Sequence, residues 1–169
     1  MQGRSFGCSL IRTFEAYNKR MGAFLYRYGP LIARILVVPI FLYSSLKKFA
    51  DLTHTAVYIA STFVQNGLVD PIHAAEPWWR YLGVLAGTVE LAGVVLLLLG
   101  FRTRSAALSL IVYLLPVTFV FHGLGWMHAP DAMAANTQAL SLFKNLAIMA
   151  ALLQLATYGP GRPSVDVRA

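Results

Sequence analysis

The chain has a single cysteine, Cys8, and only seven acidic residues. One thiol excludes an intrachain disulfide and a cysteine pair for redox or zinc chemistry. Haem attachment motifs, phosphate-binding glycine loops and serine elbows are also missing, so any redox chemistry here needs a cofactor or partner that the residues do not display. Met127, His128 and Met133 carry ligand types suited to copper, but their irregular spacing defines no site, and no metal is expected. His54, His73 and His128 read as surface residues. Charged residues make up 12% of the chain against 57% hydrophobic ones, too few for an ordinary soluble domain. No cleavable signal peptide is visible, since the first apolar run is long enough to span and lacks a small-residue cleavage pattern after it.

What the sequence does have is long apolar runs. Gly29–Ala50, Tyr81–Phe101, Ser105–Gly125 and Gln138–Tyr158 each reach the roughly 20 residues that cross a hydrocarbon core as helix. Backbone polar groups in lipid must be satisfied within the segment, so these runs predict an all-α membrane protein built as a four-helix transmembrane bundle. Residues 29–169 form that domain, and residues 1–28 precede it.

Net charge of +7 raises the question of nucleic acid, but the basic residues are distributed by topology instead. Arg4, Arg12, Lys19, Arg20 and Arg27 precede the first span, Arg102 and Arg104 sit in the tight link between spans two and three, and Arg162 and Arg168 follow the fourth. With four crossings these regions share one side, and the positive-inside rule places both termini in the cytoplasm. Trp78, Trp79 and Trp126 then fall near the opposite membrane surface, where an aromatic belt is expected.

In residues 1–28, Leu10, Ile11, Phe14, Tyr17, Met21, Phe24, Leu25 and Tyr28 recur at steps of three or four between basic residues. That pattern predicts an interfacial amphipathic helix, suited to anionic membrane lipid or to docking a partner protein. The link from Asp51 to Arg80 is longer than two neighbouring helices require. His54–Asn66 predicts a short surface helix within it that caps the outer face of the bundle. Gly83 and Gly87 lie at GxxxG spacing, continued by Glu90 and Gly93, so Glu90 should occupy a packed face. Lys144, Ala147, Ala151, Gln154 and Tyr158 form a small-and-polar stripe along the fourth span, flanked by Ser141 and Asn145. Pro116 frees the carbonyl of Val112, and Thr118 and His122 stack one turn apart beyond it.

Glu90, His122 and Lys144 lie inside apolar spans. A charge at the bilayer centre costs roughly 2.5–3.5 kcal/mol on insertion scales, so such residues turn inward, pair or line a polar cavity. At about 1.5 Å per residue, His122 lies about 5 Å, Lys144 about 10 Å and Glu90 about 14 Å from the outer end of its helix, with Lys47 and Lys48 near the rim. The graded depths predict one outward-opening pocket and a Glu90–Lys144 pair. Two readings fit: interhelical contacts that select one bundle, or a functional site.

The ordered segments Phe41-Leu-Tyr-Ser-Ser-Leu-Lys-Lys-Phe-Ala-Asp51, Glu90 in a glycine-bearing span, Phe121-His122, Phe143-Lys144-Asn145 and Tyr158-Gly-Pro-Gly-Arg-Pro-Ser-Val-Asp166 resemble the DoxX family of small membrane proteins. The resemblance covers about residues 30–166 and leaves the N-terminal helix outside. Ser44-Ser45 stands where the family usually has Ser-Gly, Lys48 takes the family lysine position, and Pro163 stands where a Tyr is common. The family takes its name from a membrane subunit of a thiosulfate:quinone oxidoreductase, and other members are linked with membrane oxidoreductase complexes and thiol or quinone stress. The resemblance therefore implies a quinone-linked subunit of the bacterial cytoplasmic (inner) membrane, with quinone as cofactor and a protein partner supplying the redox chemistry. In that reading Glu90 and His122 handle protons, while Lys48, Lys144 and Asn145 contact quinone or substrate. A non-catalytic anchor or assembly subunit is the alternative, and a carrier for a small anion drawn by Lys48 and Lys144 is a third.

Overall fold

A computed structural model describes the backbone of residues 3–166 and the side chains of residues 18–166. The elements are α1 (Gly3–Ala50), α2 (Leu52–Gln65), a 3-10 turn (Pro71–Ala75), α3 (Trp78–Leu99), α4 (Thr103–Val117), a π-helical segment (Thr118–Gly123), α5 (Leu124–Met127) and α6 (Ala132–Tyr158). Four stretches are long and apolar enough to cross a membrane: Asn18–Ala50, Trp78–Leu99, Thr103–Met127 and Ala132–Tyr158. The outer surfaces agree with that role. Leu36, Val112 and Phe119 point away from the bundle with most of their surface bare, as side chains meant for lipid do.

The first span is not a separate helix. α1 runs unbroken through Pro30 and Pro39, so the expected amphipathic segment is its N-terminal part. Residues 18–27 of it are exposed, while Cys8, Arg4, Arg12, Leu10, Ile11, Phe14 and Tyr17 lie outside the described side chains, as does Arg168. Further along, Arg34, Val37, Val38, Phe41 and Ser45 recur at helical spacing as the buried face of α1, laid against α3 and α6. α3 answers with Gly83, Gly87, Glu90, Gly93, Val94 and Leu97. A Cβ at Gly93 would lie 2.7 Å from Leu110, and one at Gly87 would lie 3.0 Å from the Phe49 ring, so the absent side chains set how closely the helices approach.

Two apolar clusters result. The larger joins all four spans through Val37, Val38, Phe41, Val94, Leu97, Ala106, Ala107, Leu110, Leu114, Leu152 and Leu155. The smaller gathers Ala56, Ile59, Ala60 and Trp79, with Phe63 and Phe121 against them, where α2 covers the other end of the bundle. Asp51 caps α2 by accepting from the His54 N–H at 2.8 Å, which fixes where the covering helix begins. Trp79 differs from the expected belt position. It is buried because the link after α2 folds over it, and its indole N–H donates to His73 O at 2.8 Å. Trp78 and Trp126 remain exposed.

The ends of the chain meet at one face. Gly100, at φ 63°, closes α3: its N–H bonds Leu97 O at 3.1 Å, and the Phe101 N–H reaches back to Leu96 O at 3.0 Å. The segment after α6 then returns across that corner. Val165 N–H donates to Leu99 O, Asp166 N–H to Gly100 O and Arg162 N–H to Arg27 O. α1, the α3–α4 link and the C-terminal segment therefore share the terminal face, whereas α2 and the long link occupy the opposite one.

Candidate functional site

Three helices converge on one carboxylate between the two apolar clusters. Ser44 and Lys48, one turn apart on α1, share a face. Lys48 Nζ lies 2.9 and 3.0 Å from the two Glu90 oxygens and 2.6 Å from Ser44 Oγ. From α4, Tyr113 donates its hydroxyl to Glu90 Oε1 at 2.7 Å, and Ser44 Oγ reaches the same oxygen at 3.3 Å. The Glu90 side chain is 5% exposed and that of Lys48 21%, so the network runs from the bundle surface at Lys48 to a buried acid. A charge-assisted cluster of this kind holds α1, α3 and α4 in one register and keeps a proton donor and a proton acceptor in contact.

Lys144 is not the partner of Glu90. The inward face of α6 is Asn145, Leu152 and Leu155, and one residue of helix turns Lys144 about 100° away from it. Lys144 is exposed, as are Ala147, Gln154 and Tyr158 of the expected stripe, while Ala151 is half-buried against the larger apolar cluster. Lys48 and Lys144 therefore line no common path, and the anion-carrier reading loses its basis.

The other expected site residues form separate contacts. Asn145 is buried and donates to Thr118 Oγ1 at 3.1 Å, joining α6 to the third span. His122 pairs through Nδ1 with Gln138 Oε1 at 2.8 Å, half-buried at the π-helical segment. That segment follows Pro116, and Asn66 Nδ2 donates to the Val120 carbonyl at 2.8 Å within it. Two open surface pockets lie elsewhere on the molecule. One, of about 270 Å³, is lined by Leu25, Tyr26, Gly29, Pro30, Ala33, Gln154, Leu155 and Tyr158. The other, of about 300 Å³, is lined by Gly67, Leu68, Val69, Asp70 and His73. Neither of these two is lined by Glu90 or His122, and Glu90, His122 and Asn145 make their hydrogen bonds in three separate local clusters. Among the described residues, no three His, Cys, Asp or Glu side chains gather to hold a metal ion.

Arg34 and Tyr113 were not singled out from sequence. Arg34 is 1% exposed and donates to Leu97 O at 3.2 Å and Pro163 O at 2.7 Å, fastening the C-terminal segment to α1 and α3. A charge five residues into an apolar run was the available signal. The Pro163 carbonyl, not its side chain, makes the contact, so the segment folds with Pro at that position. Asp166 completes the fastening by accepting from the Thr103 and Arg102 N–H groups at 2.9 and 2.7 Å. The Thr103 N–H, with the Arg102 N–H and the nearby charge of Arg34 behind it, holds the Asp166 carboxyl below the ordinary carboxylate range. Tyr113 carried no sequence signal, because a tyrosine in a span reads as an interfacial or core aromatic.

Fold and site together define a polytopic four-span membrane protein organised around a buried lysine–glutamate–tyrosine network. The DoxX family model matches residues 29–123, more than half of the chain, and the chain belongs to the DoxX family. It is similar to inner membrane protein YphA of Escherichia coli (strain K12), with 35% identity over 138 residues, 82% of this chain and 88% of that protein. Inner membrane protein YqjF of the same organism is 30% identical over 138 residues, 82% of this chain and 89% of that one. No solved structure matches the chain.

Proposed function

We propose that the chain is a membrane subunit of a quinone-linked oxidoreductase in the bacterial inner membrane, with both termini cytoplasmic. The observation that carries this reading is the contact of Tyr113 Oη with a carboxylate that also holds Lys48. Donor and acceptor already touch in a site screened from water, the arrangement a proton relay requires. Family resemblance supplies the quinone, and the arginine and lysine distribution supports the orientation. The donor set fits a quinone carbonyl at the surface edge of the network, where Lys48 and Ser44 would hold it by hydrogen bonds. When bound, quinone accepts two electrons and two protons. Lys48, charged in its pair with Glu90, would give up a proton to the reduced carbonyl oxygen and regain one by way of Glu90 and the Tyr113 hydroxyl bonded to it. His122 is the second proton-handling group of this reading, on the same span as Tyr113 but about 14 Å of helix rise away, so water must bridge the interval.

A second reading is favoured by a different feature. The donors of the cluster are spent within it, on Glu90 and, from Lys48, on Ser44 as well, which is what a lock between three helices needs and an anchor or assembly subunit would have. Tyr113→Phe separates the two, because it removes one hydroxyl while leaving the Lys48–Glu90 pair and the ring in place. The relay reading expects quinone reduction to fall about 10²–10⁴-fold with complex yield unchanged. Wild-type turnover in an intact complex refutes the relay and leaves the anchor. Yield and turnover are measured on the same detergent-purified sample.

A further inference from the structure

The outward face of α6 is unlike the outer surfaces of the other spans. α3 and α4 present Leu85, Val95 and Leu98, and Leu108, Val112, Leu115 and Phe119, as helices facing acyl chains do. α6 also presents Leu140, Phe143, Leu146 and Leu153, but among them runs one stripe of Lys144, Ala147, Gln154 and Tyr158, with Ala151 half-buried between them. Lys144 lies twelve residues from Ala132 and fourteen from Tyr158, near the middle of the helix. In the other spans the exposed charges Lys47, Arg80 and Arg104 stand within three residues of a span end, and Arg27 lies at the terminal face, where its carbonyl accepts from Arg162. At its lower end the stripe enters the apolar groove between α1 and α6, about 270 Å³, which Gln154, Leu155 and Tyr158 help to line.

We infer that this face is the docking surface for a transmembrane helix of another protein, one that carries a carboxylate at the level of Lys144. Lys144 has no acidic partner among the described residues. An uncompensated lysine facing hydrocarbon at that depth is costly, and a carboxylate on the approaching helix removes the cost. Small side chains at 147 and 151 let the two backbones come close below the ion pair, and the groove receives the end of the incoming helix. A second copy of this chain does not supply the charge. Among the described residues, Glu90 is committed to Lys48, and Asp51, Asp70, Glu76, Asp131 and Asp166 lie outside the membrane-spanning stretches; the seventh acid, Glu15, lies outside the described side chains. A two-fold axis along the membrane normal would moreover bring Lys144 to the depth of its own copy, where like charges repel. The inference stands whether or not Glu90 moves protons.

The test uses the full chain in phosphatidylcholine vesicles with a designed leucine–alanine helix bearing one mid-depth Glu, or Gln in its place. Association is read by energy transfer between labels on the two. The Glu helix should bind about tenfold or more tightly than the Gln helix, and Lys144→Met should abolish the difference. Ala147→Phe should weaken binding while leaving thermal unfolding unchanged, since that side chain is outside the core. Lys144→Met combined with Val112→Lys, which moves the lysine to the outer face of α4, should not restore preference for Glu. Equal binding of both helices, or restoration by Val112→Lys, overturns the inference. So does a Lys144-dependent dimer of this chain, or a Lys144 effect seen only as retention of phosphatidylglycerol.

Discussion

Replacing Lys48 by Met tests the centre of the structure, because it removes the one cation paired with Glu90 while keeping most of the stem. Glu90 would retain the hydroxyls of Tyr113 and Ser44 as donors but lose its charge partner. Removing one member of a buried pair costs roughly 3–5 kcal/mol in soluble proteins, chiefly because the other charge is stranded. Glu90→Gln strands Lys48 in turn, less severely, since its ammonium lies nearer the surface. The double variant strands neither, so its loss should fall short of the sum by about 1–3 kcal/mol. Lys144→Met supplies the control. It lies on a different face of the bundle, and its effect should add to that of Glu90→Gln within about 0.5 kcal/mol. Unfolding by denaturing detergent, followed by circular dichroism, reads all six proteins. Additivity of Lys48 with Glu90, or a larger coupling of Glu90 with Lys144, would refute the assignment of the pair.

Arg34→Met should leave the Leu97 and Pro163 carbonyls short of a donor, at a cost of about 1–3 kcal/mol, and a protease of broad specificity should then cut the segment after Tyr158 faster than in the parent. Asp166 has a folded-state value below its unfolded one, so its contribution is present above the ordinary carboxylate range and is lost as pH falls through the lowered value. Protease sensitivity of the C-terminal segment should therefore rise in acid, and Asp166→Asn should show that sensitivity at neutral pH with little further change on acidification. Gly93→Ala should destabilise by about 1–3 kcal/mol through its collision with Leu110, and adding Leu110→Ala should recover part of the loss in the same unfolding assay.

Much of the fold was legible because lipid simplifies the code. Apolar length alone locates four spans, and the structure moves their ends by a few residues, except that the first has no break at Gly29 and belongs to a helix that runs from Gly3. The α2 cap was readable from a polar start and a glycine stop. The return of the C-terminal segment was not, since it depends on one arginine meeting two backbone carbonyls from distant parts of the chain. Arg34 sits close enough to the terminal face to pass for a flanking residue, and nothing local distinguishes an anchor there from a buried clamp.

The candidate site shows where one-dimensional reasoning gives out. Depth along each helix is a matter of counting, but azimuth is a matter of phase, and a charge pair needs both. Lys144 matches Glu90 roughly in depth, but its azimuth puts it on the outer surface, whereas Lys48 reaches from the rim because its stem is long and Ser44 steers the ammonium. The glycines of α3 gave the right phase for Glu90, since in that helix small residues do mark the buried face. Applied to α6 the same rule misled, because Ala147 sits with lysine and glutamine on the outside and Ala151 is only half-buried, while Asn145, Leu152 and Leu155 turn inward. Small residues mark a place where another backbone comes close, and they do not say whether that backbone belongs to the same chain. In α3 the neighbour is α1, α2 or α4; for the outer stripe of α6 the docking inferred above places it on another protein, whose carboxylate would answer Lys144.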